Sequence, residues 1–163
     1  MSKYIYLDNA ATTKMDDRVF EAMKPYFLEV YGNPSSVYSI AREGKSAMKR
    51  TRDVAAKLLG AKAKDIYFTS GGTEAVNWAL KGVLYGHKDQ GNHVISVATE
   101  HHASLHTLEF LEKQGFEVTH LSVDEEGQID LRALKQAVRK ETVLVSIMAA
   151  NNEIGTLMPL KDI

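Results

Sequence analysis

The 163-residue sequence contains no cysteine, and this absence excludes several kinds of chemistry within the chain. A disulfide network, a thiolate metal site and a cysteine nucleophile all require a thiol. Proline and glycine are also scarce, with three and eleven residues, which excludes collagen-like and low-complexity classes. With 44% hydrophobic residues, the chain is expected to fold around an ordinary apolar core.

Neither sign of charge dominates the sequence. Lys and Arg total 20 and Asp and Glu total 21, which gives a formal net charge of −1. This balance offers no electrostatic reason to expect nucleic acid or an anionic membrane as a partner. The longest apolar stretch, residues 143–150, is far shorter than the roughly 20 residues of a membrane span. The N-terminal residues lack the apolar region of a secretory signal, so a cytoplasmic location is expected.

Hydrophobic periodicity predicts an α/β fold. Helical spacing marks several segments, namely residues 16–28, 37–59, a helix opened by 70–73, 103–113 and 131–138. Strand-like apolar runs occupy residues 66–69, 93–98, 116–123 and 143–148, the last with the composition of a strand covered on both faces. From residue 66 onward, strands and helices alternate. This alternation predicts a mostly parallel sheet with flanking helices.

Polar side chains follow three of the four predicted strands. These segments are residues 69–74, 99–102 and 151–155, whereas residues 124–127 after the third strand read as a turn. Ligands of open α/β sheets bind beyond the carboxyl ends of the strands. The three polar segments are therefore expected to converge on one candidate site.

Residues 70–73, Ser-Gly-Gly-Thr, combine a strand end, a glycine pair and the start of a helix. Free backbone N–H groups and the positive end of the helix would attract an anion there, and Gly72 and Thr73 are the candidate contacts. The segment matches neither the P-loop nor the Gly-x-Gly-x-x-Gly pattern. An ordinary turn, with Thr73 as the helix cap, is the alternative.

Histidines and asparagines supply the other candidates. The His101 imidazole could stack on a ring, move protons or serve only in the structure. His102 and His106 have the i, i+4 spacing of metal ligands, but no His-Glu-x-x-His pattern is present and no metal site is expected. Asn151 and Asn152 could orient a ligand hydroxyl, or could form a turn in which Gly155 adopts a positive φ.

Five motifs occur in order along the chain: Tyr6-Leu7-Asp8-Asn9-Ala10-Ala11-Thr12-Thr13, Gly32-Asn33-Pro34-Ser35-Ser36, Phe68-Thr69-Ser70-Gly71-Gly72-Thr73-Glu74, Thr99-Glu100-His101 and Asn151-Asn152-Glu153-Ile154-Gly155. Together they closely resemble the cysteine desulfurases of the NifS/IscS type, in the class V aminotransferase family. These enzymes depend on pyridoxal 5′-phosphate (PLP). The resemblance covers nearly the whole chain but only the front part of the family's length.

The resemblance implies a partial PLP-dependent transferase fold of fold type I, with an incomplete large domain. Residues 1–15 would be the N-terminal segment of the small-domain and interface region, and residues 16–163 the first part of the PLP-binding large domain. Gly72 and Thr73 match the phosphate-binding turn. His101 matches the catalytic histidine that stacks on the cofactor ring and moves protons, and Asn152 matches the asparagine near the ring's phenolic oxygen.

The resemblance also implies what this segment lacks. The family's Schiff-base lysine, the acidic partner of the pyridinium nitrogen and the persulfide-forming cysteine belong downstream, so the PLP site would be incomplete and the chain alone inactive. The implied substrate is L-cysteine, which yields alanine and a protein-bound persulfide. The implied partners are a C-terminal half or a homodimer partner, and a sulfur-acceptor protein of iron–sulfur cluster assembly or tRNA thiolation.

Other functions stay open at this point. A selenocysteine lyase or another class V PLP enzyme would share the same front-half motifs. A non-catalytic interaction module is an alternative of a different class, because a partial sheet leaves an unpaired edge and an uncovered apolar face. Such a chain is expected to associate rather than remain a monodisperse monomer. A metal hydrolase that uses His101, His102 and His106 fits poorly.

Overall fold

A computed structural model describes residues 4–163 of the chain. The described chain divides into two compact units, which meet in sequence between Phe68 and Thr69. The boundary expected between residues 15 and 16 would separate the small-domain segment from the large domain of a complete enzyme, and it stays a prediction.

The first unit is helical. Helix α1 covers Asp17–Leu28, helix α2 covers Ser39–Leu59, and a short 3-10 helix follows at Ala63–Asp65. The Asp16 carboxylate caps α1 by accepting a hydrogen bond from the backbone N–H of Arg18 at 2.8 Å. Helix α2 ends at Gly60, whose φ of 65° is readily reached only without a side chain. Both helices confirm the predictions from periodicity.

The predicted strand at residues 66–69 is not a strand in the structure. The backbone at Ile66 is extended, but no strand within residues 4–163 pairs with this segment. The Arg52 side chain holds it instead, because its Nε donates to the Ile66 carbonyl at 3.3 Å. Its guanidinium also lies 4.9 Å from the centre of the Phe68 ring. An apolar run in the sequence predicts extended backbone. A β-ladder also requires a partner strand, which the local sequence cannot reveal.

The second unit is an α/β layer structure. Its elements are α3 (Gly72–Gly86), β1 (His93–Val97), α4 (His102–Glu112), β2 (Glu117–Leu121), α5 (Leu131–Ala137) and β3 (Thr142–Val145). The strands form a parallel sheet in the order β2-β1-β3. This arrangement confirms the prediction of a parallel sheet with flanking helices. None of the helices in residues 4–163 has the length and apolar character that a membrane crossing requires.

The core lies on both faces of the central strand β1, which is buried along its whole length. One face packs against α3 and α4 through a cluster of Leu80, Leu84, Val94, Leu108, Leu111 and Phe116. The other face packs beside α5 through a second cluster of Ile95, Val97, Leu121, Ile129, Leu134 and Met158. Alternate residues of β1 enter opposite clusters, as the pleat of a strand requires.

Strand β3 is shorter and less buried than predicted for residues 143–148. It ends at Val145, and its residues are only half-buried or exposed. Within the described sheet, β3 pairs on one side only, with β1, so it occupies an edge. The chain makes one further contact with β1, where Ser146 N donates to the Ile95 carbonyl at 2.8 Å, and then leaves the ladder.

A buried histidine joins the three strands at the amino-terminal edge of the sheet. His93 is 1% exposed. Its Nδ1 lies 2.7 Å from the Thr142 hydroxyl on β3, and its Nε2 lies 2.8 Å from the Thr119 hydroxyl on β2. Burial lowers the pKa of His93, and the nearby Arg139 guanidinium lowers it further. The carboxylates of Glu117 and Glu141 oppose this effect but do not reverse it.

We predict that the free energy of unfolding decreases as the pH falls below the ordinary histidine pKa of 6.5. The unfolded chain takes up a proton at that pH, whereas folded His93 does so only at lower pH, so acid favours unfolding. Urea unfolding of the 163-residue chain between pH 8 and pH 5 measures the effect.

The His93→Gln variant should have a flatter pH profile and lose about 1–3 kcal/mol at pH 8, because the half-buried hydroxyls of Thr119 and Thr142 lose a partner. The matched control is His120→Gln, at an exposed position of β2. It should keep the wild-type profile. An unchanged pH dependence in His93→Gln would contradict the assignment.

Candidate functional site

The start of α3 is open to an anion. Gly71 is the N-cap residue and no side chain caps the helix, so Thr73 is not the cap that the alternative interpretation required. Within residues 4–163, no protein group accepts a hydrogen bond from the backbone N–H of Gly72 or Thr73. A Cβ built on Gly71 or Gly72 would meet nothing within 4 Å. Two free donors and an exposed hydroxyl therefore border open space at the positive end of a helix.

The Glu74 side chain fixes the loop that leads into this helix. Its carboxylate accepts hydrogen bonds from the Ser70 hydroxyl at 2.7 Å and from the Ser70 backbone N–H at 2.6 Å. These bonds hold the pKa of Glu74 below its usual range. Sequence reasoning missed this residue, although a carboxylate in the first turn that reaches back to a preceding N–H is related to the capping box.

His101 is the N-cap residue of α4. Its Nδ1 accepts a hydrogen bond from the Ala103 backbone N–H at 3.0 Å. An Nδ1 that accepts cannot carry the proton of the neutral ring, so this geometry assigns the proton to Nε2. The cap therefore fixes the tautomer and leaves Nε2 available to a ligand.

Thr73 and His101 line one groove between α3 and α4. The groove has a volume of about 380 Å³. We call it the interhelical groove. Its lining residues are Thr73, Asn77, Lys81, His101, His102, Ala103, His106, Thr107 and Phe110. The parallel sheet thus brings together two candidate residues that lie 28 positions apart in the sequence.

The two asparagines have different surroundings. The Oδ1 of Asn151 accepts hydrogen bonds from the backbone N–H groups of Glu153 and Ile154 at 2.9 and 3.0 Å. Gly155 closes the turn with a φ of 75°, as predicted. Asn152 is exposed, its side chain makes no hydrogen bond within residues 4–163, and it does not line the interhelical groove. Its role toward a ligand stays a prediction.

Two long-range hydrogen bonds tie the end of β1 to the segment after β3. The Asn151 amide donates to the Thr99 carbonyl at 3.1 Å, and the Glu100 carboxylate accepts from the Met148 N–H. Both bonds hold the turn that carries His101. The role of Glu100 was not predicted, because its partner lies 48 positions away and no local pattern announces it.

The three neighbouring histidines do not form a three-ligand metal centre. The His102 and His106 rings are stacked with centroids 5.2 Å apart, and the His101 ring lies 6.4 Å from that of His102. Across residues 4–163, no group of three or more His, Cys, Asp or Glu side chains is arranged to hold a metal ion.

Comparison with known proteins identifies the family. The model of the aminotransferase class-V domain matches residues 5–163. The chain belongs to the class V aminotransferase family. A cysteine desulfurase IscS of Clostridium botulinum (strain Kyoto / Type A2) is 52% identical over 163 residues, which are 100% of this chain and 41% of that protein. This class V aminotransferase chain therefore spans about two fifths of the length of the curated relatives it matches.

Solved structures show the same fold. A NifS-like protein superposes with a TM-score of 0.92 at 42% identity, over 97% of this chain and 43% of that one. SspA, solved in complex with cysteine, gives a TM-score of 0.89 at 37% identity, over 96% of this chain and 45% of that one. The class V aminotransferase chain thus has part of the fold type I architecture of PLP-dependent enzymes, as expected.

We predict that Asn151→Ala destabilises the 163-residue chain by about 1–2 kcal/mol, because it removes the three hydrogen bonds that the Asn151 side chain makes with backbone groups. Asn152→Ala, the adjacent exposed position, is the matched control and should change the free energy of unfolding by less than about 0.5 kcal/mol. Urea unfolding monitored by circular dichroism measures both. Equal losses in the two variants would contradict the structural role assigned to Asn151.

Proposed function

We propose that this chain is the N-terminal part of a PLP-dependent cysteine desulfurase, an enzyme that takes sulfur from L-cysteine and releases alanine. The observation that carries the proposal is the 52% identity to a cysteine desulfurase along all 163 residues of the chain. The juxtaposition of Thr73 and His101 in the interhelical groove supports it, since these are two of the four residues that the family resemblance singles out.

The residues at the start of α3 fit the phosphate group of PLP. The free N–H groups of Gly72 and Thr73 offer hydrogen bonds, and within residues 4–163 the space that a side chain would occupy at Gly71 and Gly72 is open to a phosphate. His101 would face the ring of the cofactor, and Asn152 would approach its phenolic oxygen. When bound, PLP supplies an electron sink for bond changes at the α-carbon of the substrate.

His101 is proposed as the residue that moves a proton. Its Nδ1 is engaged by the Ala103 N–H, so proton exchange takes place at Nε2. Two hydrogen bonds stabilise the preceding turn, one from Asn151 to Thr99 and one from Met148 to Glu100. The imidazole is thereby oriented before a ligand arrives, which reduces the free-energy cost of binding and reaction.

This chain supplies one part of the chemistry only. Its 163 residues contain no cysteine, so the thiol that accepts sulfur as a persulfide must come from another segment. The lysine that holds PLP covalently is assigned to the same missing part. The proposed partners are therefore a C-terminal half, a second copy of the complete enzyme and a sulfur-acceptor protein. By itself, the chain is proposed to be inactive.

The 163-residue chain is predicted to form no stoichiometric covalent adduct with PLP at a single lysine. The residues assigned to the cofactor offer hydrogen bonds rather than an amine, so borohydride reduction should leave at most scattered labelling. Absorbance scans before and after reduction, followed by intact mass and peptide mapping, measure this. A stoichiometric adduct at one lysine would show that the chain holds a complete PLP site.

A second prediction concerns His101 in a complete enzyme. We join residues 1–163 to the C-terminal remainder of the 52% identical Clostridium botulinum relative and expect the chimera to release alanine from cysteine. His101→Gln should lower kcat by about 10²–10⁴-fold, the usual contribution of a positioned acid or base. His102→Gln, the exposed neighbour, is the matched control and should leave kcat within about threefold.

Two outcomes of the chimera experiment would contradict the proposals separately. A folded chimera that binds PLP and releases no alanine would overturn the desulfurase function. An active chimera in which His101→Gln has the same kcat as His102→Gln would leave the function standing and overturn the role of His101.

A further inference from the structure

The interhelical groove holds a pair of histidines that the proposed function does not use. His102 and His106 are both exposed and lie four residues apart on α4. Positions i and i+4 face the same side of a helix, so their side chains are neighbours. Their rings are stacked, with an angle of 30° between the planes and 5.2 Å between the centroids. Neither ring makes a hydrogen bond with another residue of the described chain.

We propose that His102 and His106 form a two-histidine site for a divalent transition-metal ion, with water completing the coordination shell. Imidazole nitrogen is a preferred ligand of Zn²⁺, Ni²⁺ and Cu²⁺. Two imidazoles bound to one ion, with bonds of about 2.0–2.1 Å, place their ring centroids about 5 Å apart. The observed separation of 5.2 Å is therefore the spacing that a shared ion requires. Because stacked rings do not aim their nitrogens at one point, rotation about the side-chain torsions would turn one nitrogen of each ring toward the ion, while the helix keeps its i, i+4 geometry.

The surroundings leave this pair free to bind. Lys81 also lines the groove, and its ammonium donates to the Asn77 side chain at 2.8 Å and lies 4.6 Å from the centre of the Phe110 ring. Lys81 therefore has partners of its own. The His101 Nδ1 serves the helix cap, and its ring lies 6.4 Å from His102, so it is a neighbour rather than a third ligand.

A site with two protein ligands is consistent with the absence of larger clusters in residues 4–163. It predicts a moderate affinity, because water supplies the remaining ligands, and the positive end of α4 opposes a cation near His102. It also predicts selectivity for metals that prefer nitrogen. Mg²⁺ and Ca²⁺, which prefer oxygen ligands, should not bind.

The test is titration of the untagged 163-residue chain with NiCl₂ by calorimetry, with MgCl₂ as the comparison metal. The expected result is one Ni²⁺ per chain and no heat of binding with Mg²⁺. His102→Gln and His106→Gln should each weaken Ni²⁺ binding at least tenfold. The control His120→Gln, at an exposed position of β2 outside the pair, should stay within twofold of the wild type.

A spectroscopic measurement separates the paired site from scattered binding at single histidines. The electron paramagnetic resonance spectrum of the chain with one equivalent of Cu²⁺ should show coupling to two nitrogen nuclei. Circular dichroism confirms that each variant is folded. Wild-type affinity in His102→Gln or His106→Gln, or an equal loss in His120→Gln, would overturn the proposal. The proposal does not depend on desulfurase activity, because every readout is metal binding to the chain itself.

Discussion

The burial of β1 is the constraint on which the second unit depends. All five residues of this strand are buried, and its alternate side chains enter two separate apolar clusters. A strand covered on both faces and paired on both edges can neither slip in register nor tilt without losing contacts in both clusters. Its carboxyl end therefore emerges at a fixed place. The turn that carries His101 begins there, and so does the candidate site.

The two ends of this sheet use polar groups in different ways. At the amino-terminal edge, His93 bonds hydroxyls of β2 and β3 with both ring nitrogens, so no donor or acceptor of the ring is left for a ligand. At the carboxyl end, Gly72 and Thr73 keep free N–H groups and His101 keeps a free Nε2. Satisfied buried polar groups stabilise the fold, whereas unsatisfied groups at an open edge are available for binding.

The sequence predicted those parts of the fold that local patterns control. Apolar spacing placed α1, α2 and α5, and the positive φ expected at Gly155 is present. The parallel sheet was predicted from the alternation of strands and helices, but two finer features that depend on distant partners were predicted wrongly. The segment 66–69 has strand composition but no strand partner in the described chain. Strand β3, at the edge of the described sheet, ends at Val145 rather than at residue 148.

The candidate site shows the same division between local and distant information. Motif positions suggested Thr73, His101 and Asn152. The interhelical groove brings the first two together, because Thr73 lies in the first turn of α3 and His101 caps the start of α4. Sequence could not show that Asn151 and Glu100 each reach about 50 positions along the chain to fix the His101 turn. The sequence presented a structural and a chemical role of His101 as alternatives, whereas the structure leaves room for both. One nitrogen caps α4 while the other stays free, so the structural bond sets the tautomer that the proposed proton transfer at Nε2 would require.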